Sequence, residues 1–171
     1  KEKLEIIVID SASTDKTIEI VEDFKKKNGD LNLRLITQRE RRGKANALNY
    51  VLPHCTGEIV VMSDADSLFQ RNSLTQVVSN FADPTVGAAS GRQILLNPNQ
   101  SPVTKIELNY RGIYEILRIG ESRLDSTPIF HGELSAFRRK LVNSISEDSM
   151  ADDSELSINV RKMGYRAVYD P

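Results

Sequence analysis

Short apolar runs rich in β-branched residues alternate with helical patterns along this chain, and that alternation limits the fold more than any other feature. Strands are predicted over 5–10, 31–37, 58–64, 86–96, 128–137 and 166–170. Helical patterns of roughly ten to fifteen residues separate most of these runs, which is typical of strand–helix–strand units. The sequence therefore predicts an α/β fold with a mostly parallel sheet.

The segments with helical periodicity lie between these strands. Helices are predicted over 15–27, 43–54, 71–81, 103–124, 138–145 and 152–163. Ile18, Ile20, Val21 and Phe24 give the first helix an apolar side.

The strand 58–64 does not alternate between apolar and polar residues, so it is predicted to be covered on both faces, at the centre of the sheet.

Composition fits one globular domain of 171 residues, with 39% hydrophobic and 27% charged residues. No apolar run approaches the roughly 20 residues that span a bilayer. The formal net charge of −1 means that the chain has no overall positive field to attract nucleic acid. Cys55 is the single cysteine, which excludes an internal disulfide. The chain starts without Met and almost directly in a strand, so we expect a piece of a longer protein.

Two carboxylates lie at the carboxyl end of the strand 58–64, where open α/β sheets bind ligands: Asp64 ends the strand and Asp66 follows it. Carboxylates this close repel each other unless a cation lies between them, and a divalent cation with oxygen ligands is the usual solution. The alternative is an Asx-type turn that ends the strand. Asp10 ends the first strand in the same way, before a polar loop that could equally cap the next helix.

A cationic stretch, 39–44, lies between these two acidic positions and leads into a helix through Gly43 and Lys44. Basic side chains beside a glycine at a helix start suit a phosphate group. Such a run by itself is more often a solvated loop. Together with two acidic strand ends and the divalent cation expected there, it favours a diphosphate ligand, which needs both kinds of cation.

Three acids crowd the start of the last helix, at Asp152, Asp153 and Glu155. Acids at a helix N-terminus stabilise the helix dipole by roughly 0.3–1 kcal/mol each and need no other function. The crowding favours a functional role. His131 is one of two histidines, and a structural or substrate-lining role is favoured for it over that of a general base.

Five segments in this order resemble the family 2 inverting glycosyltransferases: IIVIDSASTDKT, RRGKANALN, GEIVVMSDADS, HGELSAFRR and MADDSELSINVRKMGYRAVYDP. The resemblance implies the GT-A fold, a Rossmann-like three-layer sandwich with a mostly parallel central sheet, here lacking the first strand. It implies a single catalytic domain over 1–171, with nucleotide binding in about 1–96 and the acceptor side in about 97–171.

The resemblance also assigns the donor site. Asp10 would contact the base or ribose of the donor nucleotide, and Lys44 would approach the nucleotide or its diphosphate. Asp64 and Asp66 match the family's DxD motif, with Asp64 near the ribose and the metal. Asp66 would be the direct ligand of Mg²⁺ or Mn²⁺.

The later segments correspond to the reacting sugar and the acceptor. His131, Gly132, Glu133 and Asp152 would line the acceptor or donor-sugar side, and Asp153 would be the catalytic base. The implied reaction is metal-dependent, inverting transfer from a nucleotide-diphospho-sugar, by default a UDP-sugar, to a hydroxyl of a carbohydrate or lipid-linked acceptor. This is the chemistry of polysaccharide, glycolipid or glycoconjugate synthesis. The implied location is the cytoplasm or the cytoplasmic face of a membrane, with any attachment through parts outside this chain.

Two alternatives remain at this point. One is a non-catalytic glycosyltransferase-like binding module, because the family's earlier strand and its nucleotide-binding loop do not occur in this chain. Many polymerising members also have a Gln-x-x-Arg-Trp motif, and this chain has no tryptophan. The other is a haloacid-dehalogenase-like phosphatase. In that class the DxD strand normally comes first, whereas here two strands and two helices precede Asp64.

Overall fold

The computed structural model describes residues 4–94, 96, 102–130, 133–147, 149 and 152–171, with the backbone alone for 102–109. The strands are β1 (Ile6–Ser11), β2 (Leu33–Gln38), β3 (Ile59–Met62), β4 (Val86–Gly91), β5 (Ser135–Arg138) and β6 (Arg166–Asp170). The helices are α1 (Thr17–Lys27), α2 (Lys44–Val51), α3 (Ser73–Ser79), α4 (Pro102–Leu124) and α5 (Asp152–Lys162), and short 3₁₀ turns cover Leu52–His54, Asn80–Ala82 and Arg139–Leu141.

The chain divides into two compact units. The first comprises Lys1–Glu58 and Asn143–Asp152, and the second comprises Ile59–Val142 and Asp153–Pro171. The predicted division of function near residue 96 stays a prediction.

The first unit is built on two parallel strands. β1 pairs with β2 so that Asp10 lies opposite Thr37 and Ser11 opposite Gln38. Because the strands are parallel, their carboxyl ends meet at one edge. Helix α2 packs against β1 and buries Ala45, Ala47 and Val51.

A carboxylate at the start of β1 holds the loop that follows the Leu52–His54 turn. Glu5 Oε1 accepts hydrogen bonds from the Thr56 N–H at 2.5 Å, the Thr56 hydroxyl at 2.9 Å and the Gly57 N–H at 3.0 Å. Arg34 lies 3.2 Å from the other carboxylate oxygen. These bonds, the Thr56 N–H first among them, lower the pKa of Glu5 below its ordinary value because they stabilise the charged form.

The second unit contains a four-stranded sheet in the order β3-β5-β4-β6. β5 runs antiparallel to both neighbours, while β4 and β6 are parallel. β3, β4 and β6 therefore share one direction, as expected for a mostly parallel sheet. Its hydrophobic core joins α3, the sheet and the segment before β5 through Val77, Phe81, Val86, Ala89, Leu134, Ala136 and Val168.

β4 is buried along its whole length, and its residues are small. A Cβ built on Gly87 would lie 2.6–2.8 Å from Val160 Cγ1, Tyr165 Cβ and Leu141 Cδ1. The register between β4 and β6 also shifts at this glycine, between Val86 and Ala88. Small side chains thus allow neighbouring elements to close tightly on this strand.

β3 differs from its prediction. It lies at the end of the described four-stranded sheet, and only Val60 and Met62 are buried. The prediction of 58–64 as the most buried strand is wrong for the part of the chain that the structure describes. Lack of alternation indicated two covered faces, but the small-residue run in β4 provides the tighter packing.

Arg138, at the end of β5, holds the segment that leads into β4. Its guanidinium donates hydrogen bonds to the Val86 carbonyl at 2.7 Å, the Phe81 carbonyl at 2.8 Å and the Asp83 carbonyl at 3.0 Å. The same group lies over the Phe81 ring, 5.5 Å from its centroid. Arg138 therefore ties three carbonyls of this segment to the end of β5, and one of them, that of Asp83, also accepts from the Val86 N–H at 3.1 Å.

Most predicted elements are present, usually somewhat shorter than predicted. The predicted helix 138–145 is wrong, because only the Arg139–Leu141 turn forms and Val142 is extended. The Asn49 side chain instead bonds the main-chain N–H and carbonyl of Ile145, at 2.8 and 2.7 Å. The predicted apolar side of α1 is not buried among the described residues, and Ile20 is 63% exposed.

Within the described segments, no helix combines the length and apolar character needed to cross a membrane.

Candidate functional site

A cleft of about 620 Å³ in the second unit brings three of the predicted site residues together. Asp64, Asp66 and Glu133 are part of its lining, and we name this cleft the carboxylate cleft. Asp64 and Asp66 come from the turn after β3, and Glu133 comes from the segment before β5. The resemblance assigned Asp64 and Asp66 to the nucleotide and the metal and Glu133 to the acceptor or donor-sugar side, and more than sixty residues separate Glu133 from Asp66.

A tight turn positions the two aspartates. The Ser67 N–H donates to the Asp64 carbonyl at 3.2 Å, and the Ser63 hydroxyl donates to the same carbonyl at 3.1 Å. Asp64 is half-buried and Asp66 is exposed. The bond that closes the turn runs between main-chain atoms, so the turn does not itself explain why both side chains are carboxylates.

The donor set fits a hard divalent cation only in part. Two carboxylates provide the oxygen ligands that Mg²⁺ and Mn²⁺ accept. In the described part of the chain, no group of three or more His, Cys, Asp or Glu side chains could hold a metal ion. The pair therefore suits a cation that takes its other ligands from phosphate oxygens and water.

Asp10 lies at the end of β1 in the first unit and is only 3% exposed. Its Oδ2 accepts a hydrogen bond from the Ser13 N–H at 3.1 Å, across a turn in which Ala12 has a φ of 57°. Asp15, rather than Asp10, bonds the start of α1, where its Oδ1 accepts from the Thr17 N–H at 3.0 Å. The Thr17 hydroxyl bonded to Asp15 is the main cause that lowers the pKa of that carboxyl.

A polar chain continues from this strand end across the first unit. Ser11 Oγ donates to Gln38 Oε1 at 2.7 Å, and Gln38 Nε2 donates to Asn46 Oδ1 at 3.0 Å. Asn46 Nδ2 then donates to Glu147 Oε1 at 2.8 Å. Sequence reasoning missed Gln38 and Glu147, since nothing local marks residues that meet through long-range contacts.

Lys44 and Asp152 form an ion pair in the first unit. Lys44 Nζ lies 3.6 Å from Asp152 Oδ2, and the side chains are 45% and 16% exposed, respectively. That oxygen is buried with no hydrogen-bond partner among the described residues. Gly43, with a φ of 89°, directly precedes Lys44 and is the N-cap residue of α2. The predicted diphosphate-binding lysine and one predicted acceptor-side acid are thus brought together.

The start of α5 is bonded to the segment that leads toward Glu133. Ser154 Oγ accepts from the Phe130 N–H at 3.4 Å, and Ser157 Oγ donates to the Pro128 carbonyl at 2.6 Å. Asp153, the predicted base, is half-buried beside Ser154. His131 and Gly132, predicted on the acceptor side, lie outside the described residues.

Two further residues hold Glu133. Gln93 Nε2 donates to Glu133 Oε1, and Arg111 donates in turn to Gln93 Oε1. Sequence reasoning placed Gln93 in a strand extending to residue 96, whereas β4 ends at Gly91. A polar pair directly after a run of small residues was the only local signal for it.

Comparison with known proteins gives a family and a fold. A family model described as glycosyl transferase family 2 matches residues 1–146. The poly-beta-1,6-N-acetyl-D-glucosamine synthase of Staphylococcus aureus strain COL is 28% identical over 99% of this chain and 42% of its own length. The corresponding synthase of Staphylococcus epidermidis is 27% identical over 98% of this chain and 41% of its own length.

Solved structures agree with these relatives. A mannosyltransferase from Pyrobaculum calidifontis, in complex with GDP-Man and Mn²⁺, is 44% identical with a TM-score of 0.87, over 99% of this chain and 46% of its own. S. aureus TarS 1–349 in complex with UDP-GlcNAc is 20% identical with a TM-score of 0.69, over 98% and 47%. The chain thus spans less than half the length of these proteins. The predicted GT-A fold is confirmed.

Proposed function

Since the chain belongs to glycosyl transferase family 2, we propose that it carries the donor site and base of a metal-dependent, inverting glycosyltransferase. The protein transfers a sugar from a nucleotide-diphospho-sugar to an acceptor hydroxyl. The carrying observation is the carboxylate cleft, where Asp64, Asp66 and Glu133 line one cavity. A haloacid-dehalogenase-like phosphatase does not fit this family.

Asp64 and Asp66 hold Mg²⁺ or Mn²⁺ in this proposal, with Asp66 as the direct ligand and Asp64 also near the ribose. When bound between these carboxylates, the cation would supply positive charge against the diphosphate leaving group. Two protein carboxylates would suffice, because phosphate oxygens and water can supply the remaining ligands. The Mn²⁺ bound in the mannosyltransferase of 44% identity supports this choice of cation.

Asp10 and Lys44 bind the nucleotide end of the donor. The buried Asp10 accepts hydrogen bonds from the base or ribose, and the Lys44 ammonium attracts the diphosphate. Asp152 lies 3.6 Å from that ammonium and orients it. The positive end of α2 adds to the attraction, since Lys44 is its first residue.

Asp153 is the general base. It takes the proton from the acceptor hydroxyl while the hydroxyl oxygen attacks the anomeric carbon, and the bond from that carbon to the diphosphate oxygen breaks with its electron pair. One displacement inverts the anomeric configuration. His131, Gly132 and Glu133 flank the donor sugar and the acceptor, and the bonds of Ser154 and Ser157 to 128–130 support that arrangement.

Two donor nucleotides are considered in the proposal. A UDP-sugar is the family default, and UDP-GlcNAc is bound in TarS at 20% identity. GDP-Man is bound in the mannosyltransferase at 44% identity, so guanosine donors belong in the first test beside uridine donors. A carbohydrate or lipid-linked acceptor, and attachment at the cytoplasmic face of a membrane, remain parts of the proposal.

Calorimetry on the full-length protein tests the donor site. GDP and UDP are titrated with and without Mn²⁺ into wild type, Asp66→Ala and the control Asp23→Ala, which removes an exposed carboxylate from α1. We expect Mn²⁺-dependent binding of one nucleotide, weakened at least about tenfold by Asp66→Ala and unchanged in the control. No nucleotide binding by the wild type would refute the proposal.

Asp153→Asn tests the base on the same protein. We expect nucleotide binding to persist while sugar transfer falls by about 10²–10⁴-fold. Transfer at the wild-type rate would mean that another group accepts the proton. Nucleotide binding by the wild type without transfer or donor hydrolysis would favour a non-catalytic binding module.

A further inference from the structure

Four exposed apolar side chains line the carboxylate cleft. Leu68 and Phe69 come from the segment between β3 and α3, and Ile94 and Leu96 come from the segment between β4 and α4. Their side chains are 80%, 39%, 57% and 72% exposed, respectively. We name these four residues the apolar lining.

The hydrophobic core does not account for the apolar lining. Val77 and Leu134 also line the cleft, but they are buried and belong to the core that joins α3 to the sheet. The four residues of the apolar lining remain exposed instead. Single exposed apolar residues are common and need no explanation, whereas several that line one cleft mark a binding surface. The apolar lining therefore indicates a ligand with an apolar part.

The residue types favour an aliphatic ligand over a sugar ring. A sugar ring presents C–H groups on its faces and hydroxyls at its edges, so it packs best on a flat aromatic ring. Phe69 is the one aromatic residue in the described lining of the cleft. Leu68, Ile94 and Leu96 have neither a flat face for the ring nor hydrogen-bonding atoms for its hydroxyls. Branched aliphatic side chains instead suit a hydrocarbon chain, which removes their surface from water.

The same cleft contains the carboxylates of the proposed reaction site, Asp64, Asp66 and Glu133. A ligand that reaches both groups needs a polar reacting end and an apolar part. A nucleotide-diphospho-sugar has hydroxyls or charged oxygens along most of its length and has no hydrocarbon chain. The apolar lining therefore suits the second substrate of the proposed reaction, which is the acceptor.

We propose that the apolar lining binds the hydrocarbon chain of a lipid-linked acceptor whose head group lies among the carboxylates. The inference rests on the proposed function, and it selects a lipid-linked acceptor over a purely carbohydrate one. The cleft volume of about 620 Å³ is within the range of small-molecule sites, so it holds a head group and the first part of a chain. The high exposure of Leu68 and Leu96 places them at the opening, where a longer chain leaves the cleft.

Alkyl β-D-glucosides test the proposal, because one head group carries chains of different length. Octyl β-D-glucoside, below its critical micelle concentration, is compared with methyl β-D-glucoside, which has the same hydroxyls and no long chain. Calorimetry on the full-length protein measures both, with and without Mn²⁺ and the nucleotide that binds. Burial of one methylene strengthens binding by up to about fourfold, so we expect the octyl compound to bind at least about tenfold more tightly than the methyl compound.

Two exposed residues of the apolar lining provide a variant that should fold. Leu68→Ser and Ile94→Ser are combined in one protein. The matched control combines Ile116→Ser and Leu124→Ser, two exposed positions of α4 outside the described lining of the cleft. We expect the first variant to bind octyl glucoside at least about tenfold more weakly than wild type, and the control to bind it equally well. Leu96→Ser provides the same comparison if the double variant does not fold.

Several results would overturn the proposal. Equal affinity of wild type for the octyl and methyl glucosides would do so, as would equal octyl glucoside binding by wild type and the lining variant. Displacement of octyl glucoside by nucleotide and Mn²⁺ would assign the apolar lining to the donor. Cosedimentation with pure phosphatidylcholine vesicles that the lining variant loses, without octyl glucoside binding by wild type, would assign it to a membrane surface.

Nucleotide binding on the same samples separates this proposal from the proposed function. Wild type that binds nucleotide but does not prefer octyl glucoside overturns the lipid-linked acceptor alone. A preference for octyl glucoside that requires the apolar lining, in wild type that binds no nucleotide, supports the hydrocarbon site and refutes the proposed donor site.

Discussion

Adding one methyl group at Gly87 should destabilise the second unit measurably. The alanine Cβ would lie 2.6 Å from Val160 Cγ1, 2.7 Å from Tyr165 Cβ and 2.8 Å from Leu141 Cδ1. Carbon atoms prefer separations of about 3.5–4.0 Å, so each neighbour must retreat by about 1 Å. Val160 is fully buried and Tyr165 Cβ is fixed to its backbone, so neither can move freely.

The expected magnitude follows from two opposing effects. Overpacking a tight site costs about 1–3 kcal/mol, and three contacts from three segments place Gly87→Ala near the upper end. Alanine restricts the unfolded chain, which returns about 0.4–1 kcal/mol. The net loss is about 2 kcal/mol, which for a chain of this size lowers Tm by about 4–8 °C.

Urea and thermal unfolding, followed by far-ultraviolet circular dichroism, measure this loss. The matched control is Gly120→Ala in α4, where an added Cβ meets nothing within 4 Å. Alanine there should stabilise the helix by about 0.5–1 kcal/mol. If Gly87→Ala proved as stable as wild type, or gained stability as the control does, the packing argument for β4 would be refuted.

Two further substitutions test side chains that bond the main chain. Glu5→Gln should cost about 1–2 kcal/mol of unfolding free energy at neutral pH, because charged acceptors make stronger hydrogen bonds than neutral ones. Folding lowers the pKa of Glu5 from its ordinary 4.5, so the extra unfolding free energy of the wild type is present above pH 4.5 and declines as the pH falls through the pKa of the folded state. A stability difference between wild type and Glu5→Gln that did not change with pH would contradict this. Arg138→Lys should lower the unfolding free energy by about 1–3 kcal/mol, because one ammonium cannot reach three carbonyls. The control Arg123→Lys, at an exposed position of α4, should change it by less than about 0.5 kcal/mol, and urea unfolding measures both.

Local patterns predicted the elements of this fold well because their signals lie within one segment. RAVYD forms β6 over the predicted residues, and the KKKNGD segment ends α1 close to the predicted position. The helix predicted over 138–145 was wrong for the opposite reason. Asn49 lies almost a hundred residues away, and its side chain bonds Ile145 in place of helical partners.

The candidate site likewise contains residues that a local sequence pattern indicates and residues that only long-range packing brings together. Asp64 and Asp66 were predictable because strand and motif are contiguous, and Glu133 was found through the resemblance of its segment. The ion pair of Lys44 with Asp152 and the contact of Gln93 with Glu133 have no local signature, because each depends on how distant segments pack.

The close packing around β4 limits how this protein could be redesigned. Gly91, at the end of the strand, lines the carboxylate cleft, and a Cβ there would lie 2.6 Å from Leu134 Cδ2. Leu68 and Gln70 line the same cleft from an exposed segment, and Leu68 is 80% exposed. A mutant library aimed at a new ligand preference should therefore randomise 68–70 and keep 86–91 constant, so that diversity is introduced where the protein can tolerate it.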